Sequence, residues 1–130
     1  MNLKISIDKY KNINNLDFNY CKNIKDFIPI IKLENLEILK LNWAKISDIS
    51  FIEKNKNIKE LNLQYCTNII DFRPISKLER LEILDVSYTN ISDISFIENN
   101  KNIKELKFYG CKNINKNNNL FSRKDIKIYL

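Results

Sequence analysis

The chain has 130 residues, enough for one domain, of which 44% are apolar and 29% charged. It has a net charge of +6 and no histidine, which excludes Ser-His and Cys-His catalytic pairs and any Cys/His zinc site. A single glycine excludes a glycine-rich phosphate loop, and no run of about 18 apolar residues is present to cross a membrane.

Asn, Ile and Lys make up about half of the chain, which points to an AT-rich genome. On that reading the positive charge reflects codon supply before it reflects any anionic partner. The opening MNLKISIDKYKN has no apolar stretch long enough for a secretory leader. The expected location is therefore cytoplasmic or inside a host cell, with secretion left open for a chain read without its leader.

Residues 3–7, LKISI, alternate apolar and polar as a strand does. They are expected to belong to an N-terminal cap, residues 1–10, that covers the open end of a stack of repeats. From 11 to 114 the chain repeats about five times. The stretch LEILKLNWAKISDISFI, starting at Leu36, returns as LEILDVSYTNISDISFI at Leu81, and IKELNLQYC at Ile58 returns as IKELKFYGC at Ile103. Self-similarity at this period is the mark of a solenoid, in which each coil buries its apolar side against its neighbours.

The repeats share the pattern L-x-x-L-x-L-x-x-N/C: Ile13, Leu16, Phe18, Cys21; Leu36, Leu39, Leu41, Ala44; Ile58, Leu61, Leu63, Cys66; Leu81, Leu84, Val86, Thr89; Ile103, Leu106, Phe108, Cys111. The alternating centre predicts a short strand in each coil, all of them parallel. A second apolar set at spacing three comes after each strand, beginning Ile24, Phe27, Ile30 and Ile46, Ile49, Ile52. It predicts 3₁₀ pieces on the convex side. Asp26, Asp48, Asp71 and Asp93 are expected to accept backbone N–H groups of those turns. Residues 115–130 are expected to form a C-terminal cap, with Leu120 taking the place of Ile30 and Ile75, and Ile126, Ile128 and Leu130 in a sixth strand.

The pattern resembles the leucine-rich repeat. ISDISxI in the second and fourth repeats is similar to the 22-residue repeats of internalins and related phosphatase-regulatory proteins. The 23-residue repeats with Cys21, Cys66 and Cys111 resemble the cysteine-containing class of ubiquitin-ligase adaptors. The resemblance implies an α/β, β-rich, right-handed solenoid with a curved parallel sheet on its concave face and short 3₁₀ segments on its convex face.

No catalytic, metal or cofactor residues are expected. Strands about 4.8 Å apart place thiols of alternate coils about 10 Å from one another, too far for disulfides, so the cysteines are read as core thiols. The expected function is a non-catalytic protein–protein interaction module. By alternation the concave face presents Ile38, Lys40, Glu60, Gln64, Ile83, Asp85, Lys107 and Tyr109. Ile38 and Ile83 are read as side-by-side apolar residues, and Tyr20, Trp43, Tyr65 and Tyr88 as an aromatic ridge beside them. These twelve are the candidate partner-binding residues. Two alternatives remain: a nucleic-acid binder using the basic edge Lys22, Lys45 and Lys112, and a structural repeat segment of a larger protein.

Overall fold

The computed structural model describes residues 9–130; the expected strand at 3–7 lies outside the described residues. Six three-residue strands, β1 (Asn15–Asp17), β2 (Ile38–Lys40), β3 (Glu60–Asn62), β4 (Ile83–Asp85), β5 (Glu105–Lys107) and β6 (Lys127–Tyr129), form one parallel sheet in sequence order. Leu16, Leu39, Leu61, Leu84, Leu106 and Ile128 stand opposite one another across the strands. The stacked row required of a solenoid is therefore present, and most of it is fully buried.

Behind the sheet the chain forms 3₁₀ segments at Ile28–Lys32, Ser50–Lys54, Arg73–Lys77, Ser95–Asn99 and Asn119–Ser122. They are shorter than the spacing-three pattern suggested and cover only its last third. Pro29 and Pro74 sit in the first turn of theirs, where a missing N–H costs nothing. Leu120 is buried at the position of Ile30, Ile52, Ile75 and Ile97. The missing aspartate of the last coil is replaced by two Asn turns, Asn115 Oδ1 accepting from Asn117 N–H and Asn118 Oδ1 from Leu120 N–H.

Successive partners in the sheet are 23, 22, 23, 22 and 22 residues apart, so through β5 the structural unit is a pair of coils. The pairing extends to the core. Odd coils carry Phe27 and Phe72 where even coils carry Ile49 and Ile94, and even coils carry Phe51 and Phe96 where odd coils carry proline. Each of the first four coils thus contributes one convex ring at these positions, displaced by two from its neighbour's, and Phe27 meets Phe51 at 6.2 Å between centroids. Even coils also bury Asn55 and Asn100 where odd coils bury Leu33 and Leu78. Asn55 Nδ2 donates to the Ile30 and Leu33 carbonyls, and Asn100 Nδ2 to those of Ile75 and Leu78. These two side chains stitch the back of each even coil to the odd coil before it.

The convex aspartates act as expected. Asp26, Asp48, Asp71 and Asp93 each accept the N–H two residues on, at 2.8–2.9 Å. The Arg73 guanidinium and backbone N–H hold the Asp71 carboxyl down at about 2, against an ordinary 3.8. Hydrogen bonds from Ser50 and Ser95 lower Asp48 and Asp93 in the same direction. A carboxylate more acidic folded than unfolded contributes stability above its unfolded pKa and loses it as pH falls through the folded one. The thermal midpoint is expected to hold down to about pH 4 and to drop between there and about pH 2. Asp71→Asn should flatten that drop, and a midpoint indifferent to pH across this interval would contradict the assignment.

Candidate functional site

The site begins in the turn that ends each strand. Cys21 N–H donates to the Phe18 carbonyl, Ala44 N–H to Leu41, Cys66 N–H to Leu63 and Cys111 N–H to Phe108, at 3.0–3.1 Å. In the fourth coil the Thr89 hydroxyl donates to the Val86 carbonyl at 2.7 Å. The third residue of each turn has a left-handed backbone: Tyr20 at φ 61°, Trp43 at 64°, Tyr65 at 60°, Tyr88 at 57° and Gly110 at 65°. Gly or Asn normally takes this position, and a bulky side chain there costs roughly 1–2 kcal/mol. Four of the five coils use an aromatic residue.

Two sets of bonds hold this conformation. Each aromatic N–H donates to the next coil: Tyr20 to Asn42, Trp43 to Gln64, Tyr65 to Ser87 and Tyr88 to Tyr109, at 2.6–3.0 Å. The N–H one residue earlier is also satisfied in every coil. Asp17, Asn62 and Asp85 accept it from Asn19, Gln64 and Ser87 of their own turns. Where a lysine occupies that place, the preceding coil supplies the acceptor: Asn19 Oδ1 for Asn42 N–H, and Ser87 Oγ for Tyr109 N–H.

The same dihedral in successive coils aims successive rings the same way, and they stack. Centroids are 6.2 Å apart for Tyr20–Trp43, 3.9 Å for Trp43–Tyr65 and 4.4 Å for Tyr65–Tyr88, with interplanar angles of 18°, 14° and 1°. The ladder stops at Gly110, where a β-carbon would lie 2.4 Å from Tyr88 Cδ1. Tyr88 therefore covers the backbone of the next coil. Tyr20 remains 67% exposed, Trp43 40% and Tyr88 42%. Burial and the neighbouring Tyr88 phenol raise the pKa of Tyr65, which keeps its hydroxyl protonated.

No protein-family model matches the sequence, and no curated protein matches it. Among solved structures, internalin C2 of Listeria monocytogenes superimposes with a TM-score of 0.76 at 26% identity, over 99% of this chain and 54% of that one. Internalin F of the same organism gives 0.69 at 27% identity, over 80% and 30% of the two chains. A leucine-rich-repeat protein of Leptospira interrogans gives 0.63 at 16% identity, over 87% and 38%. The chain has the leucine-rich-repeat fold. It spans about half the length of the internalin C2 chain and less of the other two.

Within this leucine-rich-repeat sheet, two expectations about the concave face need correction. Ile38 and Ile83 are not side by side: register places Glu60 between them, and both isoleucines are half-buried. Asp85 is not presented to solvent. It is 8% exposed and accepts the Ser87 N–H of its own turn. Lys40 is 3.7 Å from Glu60, and Lys107 is 3.0 Å from Glu105 and lies over the Tyr129 ring at 5.9 Å. Gln64 is half-buried, and Tyr109 turns from the ladder to meet Tyr129 at 6.0 Å.

Tyr20, Trp43, Tyr65 and Tyr88 are thus brought together, while the concave residues form short ion-paired groups. What sequence reading missed was the backbone under the rings. The signal was available: Gly110, the one glycine, occupies their column. The three cysteines are unpaired. Cys66 Sγ donates to the Leu41 carbonyl and Cys111 Sγ to that of Val86, and burial pushes the Cys66 thiol up to about 11, far from nucleophilic. Among the described residues no helix is long and apolar enough to cross a membrane.

Proposed function

We propose that the chain is a non-catalytic interaction module that takes a protein partner on its concave face and the adjoining aromatic ladder, with Trp43, Tyr20 and Tyr88 as anchors and Ile38, Lys40, Glu60, Ile83, Lys107 and Tyr109 around them. A leucine-rich-repeat solenoid fits protein binding in general, since its stacked coils offer an extended concave surface. The observation that carries the reading is the ladder itself. It combines backbone strain with exposed Trp and Tyr rings. Strain of this kind gathers at functional positions, and Trp and Tyr are enriched where binding energy concentrates.

Glycine is the informative substitution, because it removes a ring and relieves the left-handed strain together. Trp43→Gly loses two stacking contacts, each worth about 0.5–1.5 kcal/mol, and regains roughly 1–2 kcal/mol of backbone energy. Its thermal midpoint should stay near that of the parent. Partner capture from the native host should fall at least about tenfold, as for a central aromatic anchor. Capture unaffected by both Trp43→Gly and Tyr20→Gly would remove the reading.

A further inference from the structure

We infer that the segment of the partner that lies along the aromatic ladder is acidic, its carboxylates meeting the outer edges of the rings and the ammonium groups of Lys22 and Lys45. The inference rests on the protein-binding reading above and adds to it the chemistry of the partner. Because the rings stack face to face, solvent and ligands meet their edges. A ring edge is the positive end of the aromatic quadrupole, and a phenol O–H or indole N–H is a donor.

Two residues after the first two ladder positions stand Lys22 and Lys45, both exposed. Neither is paired with a carboxylate among the described residues. Of the concave carboxylates at this end, Glu60 is paired with Lys40 and Asp17, though exposed, accepts the Asn19 N–H of its own turn, while Asp85 farther along is buried. This end of the ladder is therefore rich in donors and positive charge, and its complement is a run of charged acceptors. Nucleic acid also carries such acceptors, but its bases bind aromatic residues through ring faces, and both faces of Trp43 and of Tyr65 are already used by neighbouring rings. Carboxylates on an extended polypeptide need only the edges.

Trp43 is the only tryptophan, so its emission reports directly from the ladder. The full chain is titrated with a synthetic peptide of alternating Glu and Gly, with the same peptide carrying Gln for Glu, and with oligothymidylate. The acidic peptide is expected to change Trp43 emission saturably and the Gln peptide is not. Lys22→Glu combined with Lys45→Glu should weaken the acidic peptide by about tenfold, the scale of two exposed charge contacts. Lys22→Gln with Lys45→Gln, which adds no repulsion, should weaken it by less. No response to the acidic peptide, equal response to the Gln peptide, or tighter binding of oligothymidylate overturns the inference. If the peptide fails while partner capture still depends on Trp43, only the acidic assignment falls; if capture is also indifferent to Trp43, the protein-binding reading falls with it.

Discussion

Leu84→Ala is expected to lower the free energy of unfolding by about 2–5 kcal/mol. Leu84 has no solvent exposure and lies in register between Leu61 on one side and Leu106 on the other. Removing its branched end opens a void at two coil interfaces. The parallel ladders on both sides fix the strand spacing, so the surroundings cannot close onto it. In a linear array, stability is close to a sum of each coil's own term and its two interface terms, and this substitution weakens both interfaces. Urea denaturation of the variant measures the effect. A loss below about 1 kcal/mol would mean that the rungs are not energetically continuous. Cys66→Ala, which removes one buried sulfur and its bond to the Leu41 carbonyl, should cost clearly less.

Gly110→Ala is expected to cost about 2–3 kcal/mol, from two sources that act together. An alanine at φ 65° carries the left-handed penalty of roughly 1–2 kcal/mol. Its β-carbon would also stand 2.4 and 2.6 Å from Tyr88 Cδ1 and Cε1 and 3.2 Å from Cγ. Those atoms belong to the body of the ring, so the whole ring must move, and its parallel contact with Tyr65 is lost with it, about 0.5–1.5 kcal/mol. Chemical denaturation gives the total, and Trp43 emission should shift because Tyr65 is its stacking partner. A neutral Gly110→Ala would show that Tyr88 is not seated on this backbone.

The architecture was legible because the rows of leucines repeat at a period that only stacked coils can satisfy. Leu39, Leu61 and Leu84 fall opposite one another, as the pattern required. Even the last strand was readable, since Ile128 falls in register with Leu106 although its repeat matches the others poorly. The concave face was less legible. Simple alternation states which way a side chain leaves the strand, and it says nothing about hydrogen bonds required by the next turn. Asp85 leaves the strand toward solvent by alternation, yet it is buried and spends its carboxylate on the Ser87 N–H. Ile38 and Ile83 looked adjacent when compared repeat by repeat, but a full coil containing Glu60 separates them. The left-handed turns were hidden because propensity argues against aromatics there, and here stacking across coils overrides propensity.

The alternation of odd and even coils limits how a chain of this kind can change length. Removing one coil alone would set two like-numbered neighbours together, with Phe27-type rings opposing each other and the Phe51-type partner gone. It would also strand an Asn such as Asn100 beside a coil of the wrong parity. Removing or duplicating 45 residues rejoins matching surfaces at the cut, as the spacing of Leu36 from Leu81 illustrates. Recombination in such a gene is therefore viable in double steps, and each step adds or subtracts two rungs of the aromatic ladder at once.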